Sequence, residues 1–248
     1  MPLLALRACV GAHERRDVIS PLDILYEDNH CIAVAKPAGV PSTHYEGREE
    51  TVDRAVKVYL KERYKKPGNV FLGVVHRLDK PTSGVLLFAR TSKAAARLAR
   101  QFRDGAVEKV YWAVVEGDVK RPAGSLEDWL RKDQESGRVE VVPPDAEGAR
   151  QALLHYRRRA SHSGLTWLEV RPQTGRTHQL RVQLAHHGHP VYGDAKYGAV
   201  HTFGNAIGLH ARGLTFLHPV RYEPITLTAE PPRPWRGRFA YLFREAQP

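Results

Sequence analysis

Sulfur is scarce in this chain. Two cysteines, Cys9 and Cys31, and one methionine occur in 248 residues. Two thiols cannot build a disulfide framework or a four-thiolate zinc site, so a reducing, cytoplasmic setting is expected. Long apolar runs are also missing: none approaches the ~20 residues that a membrane-spanning helix needs. The apolar stretch 2–10 is interrupted by Arg7 and has no basic residue before it, a poor match to a secretory signal; a transit peptide is the lesser alternative. Acid is in deficit, with 27 Asp and Glu against 38 Lys and Arg, a formal net charge of +11. That surplus points to a polyanionic partner, most simply nucleic acid; a merely basic soluble protein is the plainer alternative. Hydrophobic residues make up 42% of the chain, enough for a packed core, which excludes global disorder.

The apolar pattern predicts many short strands and few helices. Strands are expected at 24–26, 31–35, 71–75, 85–89, 109–116, 151–159, 165–171, 209–211, 214–217 and 225–229. Helices are expected after Thr51, after Thr91 and from Thr177 through His187, each threonine serving as N-cap, with Gly188 as the residue that ends the third. Trp235, Phe239, Leu242 and Phe243 suggest one further amphipathic helix. Residues 1–21 read as a loose lead-in. The charged, Pro- and Gly-bearing stretch 131–149 reads as an exposed hairpin or loop and the natural internal boundary. Strands joined by hairpin-length connections imply an α+β fold with a mainly antiparallel sheet.

Chemistry concentrates in two segments. The first is His76-Arg77-Leu78-Asp79-Lys80-Pro81-Thr82-Ser83-Gly84, a polar loop between two apolar strands. Its lone acid lies between Arg77 and Lys80, and nearby cations favour the carboxylate form, which suits a nucleophile or base. An ordinary turn aspartate before a proline is the structural alternative. The second is Arg171-Pro172-Gln173-Thr174-Gly175-Arg176-Thr177-His178-Gln179-Leu180-Arg181. Arginines next to a helix start suit phosphate or carboxylate binding; an amphipathic helix with a solvated arginine is the alternative. In 109–113, alternation puts Tyr111 and Trp112 on opposite faces of a strand.

These residues resemble the RluA-type family of RNA pseudouridine synthases. The loop from His76 through Leu87 is similar to the family's signature, and Gly175-Arg176-Thr177-His178-Gln179-Leu180-Arg181 to its later motif. Gly188-His189-Pro190-Val191-Tyr192-Gly193-Asp194, Tyr197-Gly198, Lys36-Pro37-Ala38-Gly39, 111–117 and 209–211 fit in the family's order, so the resemblance spans about 22–229.

The resemblance implies a pseudouridine synthase fold over residues 22–248. A central mixed, mainly antiparallel sheet with flanking helices would hold two half-domains, meeting near 131–149, around a catalytic cleft. It implies an isomerase that detaches uracil from its ribose, rotates it and rejoins it through carbon 5, with no cofactor and no metal. Asp79 would be the catalytic carboxylate, either attacking the anomeric carbon or removing the ribose 2′ proton. Arg181 would be its basic partner. Tyr111 would pack on the target base, a safer role than base catalysis for a phenol whose ordinary pKa is near 10. Arg77 would fill the space left by the everted base, while Lys80, Arg176 and His178 would support the site or contact RNA. Thr82 and Ser83 would fix the loop through backbone hydrogen bonds. Two departures stand out: Gln183 sits where the family usually has histidine, and about twenty residues before Leu22 are too few for the small RNA-binding domain of many relatives. The expected partner is a tRNA or ribosomal RNA stem-loop, met by a monomer away from any membrane. The clustered His186, His187 and His189 lack metal-ligand spacing and read as neutral imidazoles at a helix end. The competing functions are a non-enzymatic RNA-binding or chaperone protein and, more remotely, a nucleotide hydrolase using Asp79.

Overall fold

The computed structural model describes residues 22–43 and 50–245. The 1–21 lead-in, with Cys9, lies outside them. The elements are β1 (Ile24–Glu27), β2 (Cys31–Lys36), α1 (Val52–Arg63), β3 (Gly73–Val74), β4 (Ser83–Ala89), α2 (Ser92–Arg103) and β5 (Glu108–Glu116). They continue as β6 (Ala123–Lys132), β7 (Val139–Val142), β8 (Arg150–His162), β9 (Leu165–Pro172) and α3 (Gln179–His186). A 3-10 turn (Ala195–Tyr197), β10 (Leu209–Leu217), β11 (Pro224–Thr228), α4 (Arg233–Arg238) and α5 (Ala240–Glu245) complete the chain.

All eleven strands join one sheet in the order β1-β2-β4-β10-β5-β9-β8-β6-β7, with β3 on β4 and β11 on β10. Every named pairing is antiparallel except β10 with β4, so the sheet is mixed and mainly antiparallel, as expected. Both faces of its first part are covered. Ile32, Val34, Leu86 and Phe88 pack under α1, and Cys31, Ala33, Val85 and Leu87 pack under α2. Two buried faces turn these strands into continuous apolar runs. Farther along, α3 lays Leu180 and Leu184 on Val115, Leu154 and Leu168, while α4 and α5 lay Trp235, Phe239 and Leu242 near Trp167.

Several expected elements differ in extent. Only Gly73–Val74 of 71–75 pairs, with Ala89 and Phe88 of β4, and beyond them the Leu87 N–H of the same strand goes to the His76 side chain. The two strands at 209–211 and 214–217 are one, β10, whose register shifts between Ala211 and Gly213. The last helix is two, since Phe239 ends α4 before α5 begins. Thr91 accepts a hydrogen bond from the Ala94 N–H and caps α2, whereas Thr51, also in the N-cap place, donates its hydroxyl to Asp53. The stretch 131–149 forms the end of β6, all of β7 and the return to β8, at the far edge of the sheet.

Candidate active site

Asp79 sits in a turn whose backbone is held at almost every carbonyl. Ser42 Oγ donates to Leu78 O and accepts from Leu78 N–H. Asp79 O accepts from Thr82 N–H at 3.0 Å, Lys80 O from Gly39 N–H at 2.8 Å, and Pro81 O from Ile207 N–H at 3.3 Å. Lys36 adds a second clamp. Its ammonium, 1% exposed, reaches Lys80 O, Val40 O and Pro37 O. Burial lowers Lys36 to about 7 even though Asp79 favours its charge. The loop enters β4 through Gly84, at φ +119, where a Cβ would lie 2.2 Å from Ala211 O. Only glycine permits that approach. Thr82 fixes the loop through its backbone N–H to Asp79 O, as expected, and not through its hydroxyl. Thr82 Oγ1 has no partner among the described residues, and Ser83 Oγ bonds His210 Nδ1, so the side chains that hold the loop are Ser42 and Lys36.

Arg181 lies in the first turn of α3 and is 5% exposed. Its Nη1 donates to Asp79 Oδ2 at 2.9 Å; its Nε and Nη2 grip both oxygens of Asp194 at 2.6 and 2.8 Å. Burial opposes the guanidinium charge, but Asp194 and Asp79 outweigh it and raise its pKa. α3 starts later than expected. Its N-cap is His178, not Thr177, in a left-handed conformation at φ 52 and without a capping side-chain bond. Gln179 explains the shift: its Oε1 accepts from Arg176 N–H and Thr174 Oγ, which organises the turn before the helix. A left-handed non-glycine residue costs about 1 kcal/mol or more. His178 Nδ1 lies 2.6 Å from Tyr197 Oη, and its Nε2 is 3.9 Å from Asp79 Oδ2.

Tyr111 occupies the cleft face of β5, and Trp112 packs behind the sheet. Burial pushes the Tyr111 phenol up, and the charge of Asp79 adds to this. Asp79, Tyr111, Arg181, Arg77, Lys80, Arg176 and His178 all line one cavity of about 890 Å³. Arg77 is exposed and has no hydrogen bond or ion pair to a described residue, while Arg176 Nε donates to Gln151 O. His76 serves the scaffold: its Nε2 accepts from Leu87 N–H and its ring stacks on Phe102. Burial, with Lys109 nearby, lowers its pKa to about 3.

Sequence reasoning missed four contributors. Asp194, Tyr197 and Lys36 stood inside quoted motifs without a role, and Lys109 was read as a strand residue. Lys109 shares the cleft face with Tyr111, donates to Thr174 O at 3.4 Å and is lowered by burial. Gln183 is fully buried, and its Nε2 donates to Leu126 O, Asp128 Oδ2 and Ala152 O on the side of α3 away from the cleft. Among the described residues, Asp28, Cys31 and His218 form an unanticipated group with ligand-type atoms within 4.8 Å of one another. It is built as a hydrogen-bond network. His218 Nδ1 accepts from the Val220 and Arg221 N–H groups, so its proton is on Nε2, which donates to Asp28 at 2.7 Å. Burial, reinforced by Asp28, raises the Cys31 thiol to about 12.

A sequence model described as RNA pseudouridylate synthase matches residues 30–186. Ribosomal large subunit pseudouridine synthase D of Zymomonas mobilis is 33% identical over 241 residues, covering 93% of this chain and 75% of that protein. tRNA pseudouridine synthase C of Haemophilus ducreyi is 34% identical over 237 residues, covering 88% and 94%. The solved structure of human RNA pseudouridylate synthase domain containing 4 superposes with a TM-score of 0.73 at 24% identity, covering 90% of this chain and 92% of that one, a likeness of fold.

Proposed function

Because the chain belongs to the RNA pseudouridylate synthase family, an isomerase of uridine in RNA, we propose that its substrate uridine enters the Asp79 cavity everted from a tRNA or ribosomal RNA stem-loop. Asp79 is the catalytic carboxylate of this reading. The observation that carries it is the placement of the Asp79 carboxyl, 2.9 Å from the Arg181 guanidinium, in the wall of a cavity that also presents Tyr111. The charge-assisted bond orients the carboxyl.

Taking a base out of its stack costs a few kcal/mol. Tyr111 offers a ring on which uracil can stack, and its raised pKa keeps the phenol neutral at ordinary pH. Arg77 stands exposed at the rim with its guanidinium uncommitted to any described residue, fit to stack in the vacated space or bind phosphate. Lys80 and Arg176 are exposed at the same cavity and add positive charge toward the RNA backbone.

The test is release of tritium from carbon 5 of uracil in bulk cellular RNA. Wild type should release it, and Asp79→Asn should fold and release none. No release from any cellular RNA by wild type defeats the proposal; an active Asp79→Asn variant removes Asp79 from the chemistry. Mapping pseudouridine with and without the gene then identifies the RNA.

A further inference from the structure

The two oxygens of Asp79 are not equivalent. Oδ2 accepts from Arg181 Nη1 at 2.9 Å and is faced by His178 Nε2 at 3.9 Å. Oδ1 receives no hydrogen bond from any described residue. We infer that His178 is a positioning residue that joins Arg181 in holding Oδ2, so that Oδ1 is the oxygen presented to the substrate ribose. This rests on the proposed role of Asp79.

Three features of His178 point the same way. Its backbone is held at φ 52, yet its side chain makes no capping bond, so the strained conformation serves the direction of the imidazole rather than the start of α3. Its tautomer is set from outside. Tyr197 Oη accepts from the Val139 N–H at 3.3 Å, which leaves the hydroxyl proton for His178 Nδ1 at 2.6 Å. An imidazole that accepts at Nδ1 carries its hydrogen on Nε2, the atom turned toward the carboxylate. The opposite tautomer would aim a lone pair at a negative oxygen.

The surroundings keep the ring neutral. Burial lowers the His178 pKa, and Arg181 and Lys196 act with burial against Asp79 and Asp194. Tyr197 is itself fixed, with the Arg181 and Arg138 guanidinium groups over its ring at 5.0 and 5.5 Å. Because Val139 opens β7, the β6–β7 hairpin ends in a hydrogen-bonded chain leading to Oδ2 of Asp79. At 3.9 Å the last link is open, and a small movement as RNA fills the cleft would close it.

Glycine separates structure from positioning, because it accepts a left-handed backbone without strain. His178→Gly should keep its melting temperature within a few degrees of wild type, while kcat for pseudouridine formation falls about tenfold or more and KM stays within about twofold. Tyr197→Phe should lower kcat less. In nitrogen-15 NMR of the wild-type protein alone, His178 should show the Nε2–H tautomer, and Tyr197→Phe should give a mixture. Wild-type kcat in His178→Gly, a rise in KM alone, or the Nδ1–H tautomer in wild type overturns the inference. Should wild type modify no RNA, the proposed function fails, and the tautomer measurement still decides how His178 faces Asp79.

Discussion

Arg181 commits two of its three guanidinium nitrogens to Asp194 and offers the third to Asp79. Asp194 is 2% exposed and thirteen residues further along the chain, so the orientation of the Asp79 partner is set from behind, by a buried two-point pair. Removing one member of a buried pair typically costs about 3–5 kcal/mol, and Asp79 would be left to compensate the Arg181 charge alone, through one nitrogen. Asp194→Asn should therefore lower unfolding free energy by several kcal/mol in urea titration. In whatever fraction stays folded, kcat should fall far more than affinity for RNA. Wild-type kcat in Asp194→Asn would show that Arg181 is aimed by other means.

Arg77 belongs to substrate engagement in the proposed scheme. Arg77→Ala should raise KM for structured RNA and leave folding unchanged, because the side chain is exposed and bonds no described residue. If it contacts one phosphate, the slope of log affinity against log salt should become shallower by about 0.7–0.9. Filter binding of catalytically dead Asp79→Asn with and without Arg77→Ala measures this directly.

The junction at Gly84 admits no side chain. A methyl group there would meet Ala211 O at 2.2 Å on a backbone at φ +119. Gly84→Ala should destabilise the protein by more than about 2 kcal/mol and shift the Asp79 loop. Thermal melting with tritium release on the same sample should show both losses.

Acid should weaken the fold earlier than its carboxylates alone would dictate. Burial lowers His76 to about 3 and His210 to about 4, whereas both take up protons near 6.5 when unfolded. Between these values the unfolded chain binds more protons, so stability is full above pH 6.5 and declines as pH falls toward 4 and 3. Each histidine contributes up to about 1.4 kcal/mol per pH unit in that window. Asp28, held near 2 by bonds from His30, Cys31, His218 and Tyr26 despite its partial burial, adds its loss only below its ordinary 3.8. Urea midpoints from pH 7 to 4 check the window, and His210→Gln should flatten the decline.

Asp79, Arg181 and Tyr111 were legible in the sequence because short motifs carry them, and the three do meet in one cavity. Lys36 was not. It stood in the Lys36-Pro37-Ala38-Gly39 motif without a role, and one of the carbonyls its ammonium reaches, Lys80 O, is forty-four residues away. The late start of α3 was hidden in Gln179, whose side chain outcompetes Thr177 for the turn. In β10, the expected gap between 209–211 and 214–217 is a register shift through which the strand continues. Local pattern located the elements; long-range hydrogen bonds decided their ends.

β10 lies between β4 and β5, and residues 209–217 supply it. Synthesis from the N-terminus delivers that strand after Asp79 and Tyr111, and shortly after Arg181. Until it arrives, the group β1-β2-β4 has no lateral bond to the group beginning at β5. The strand that follows the Asp79 loop and the strand that carries Tyr111 are therefore joined side by side only through one late segment of the chain.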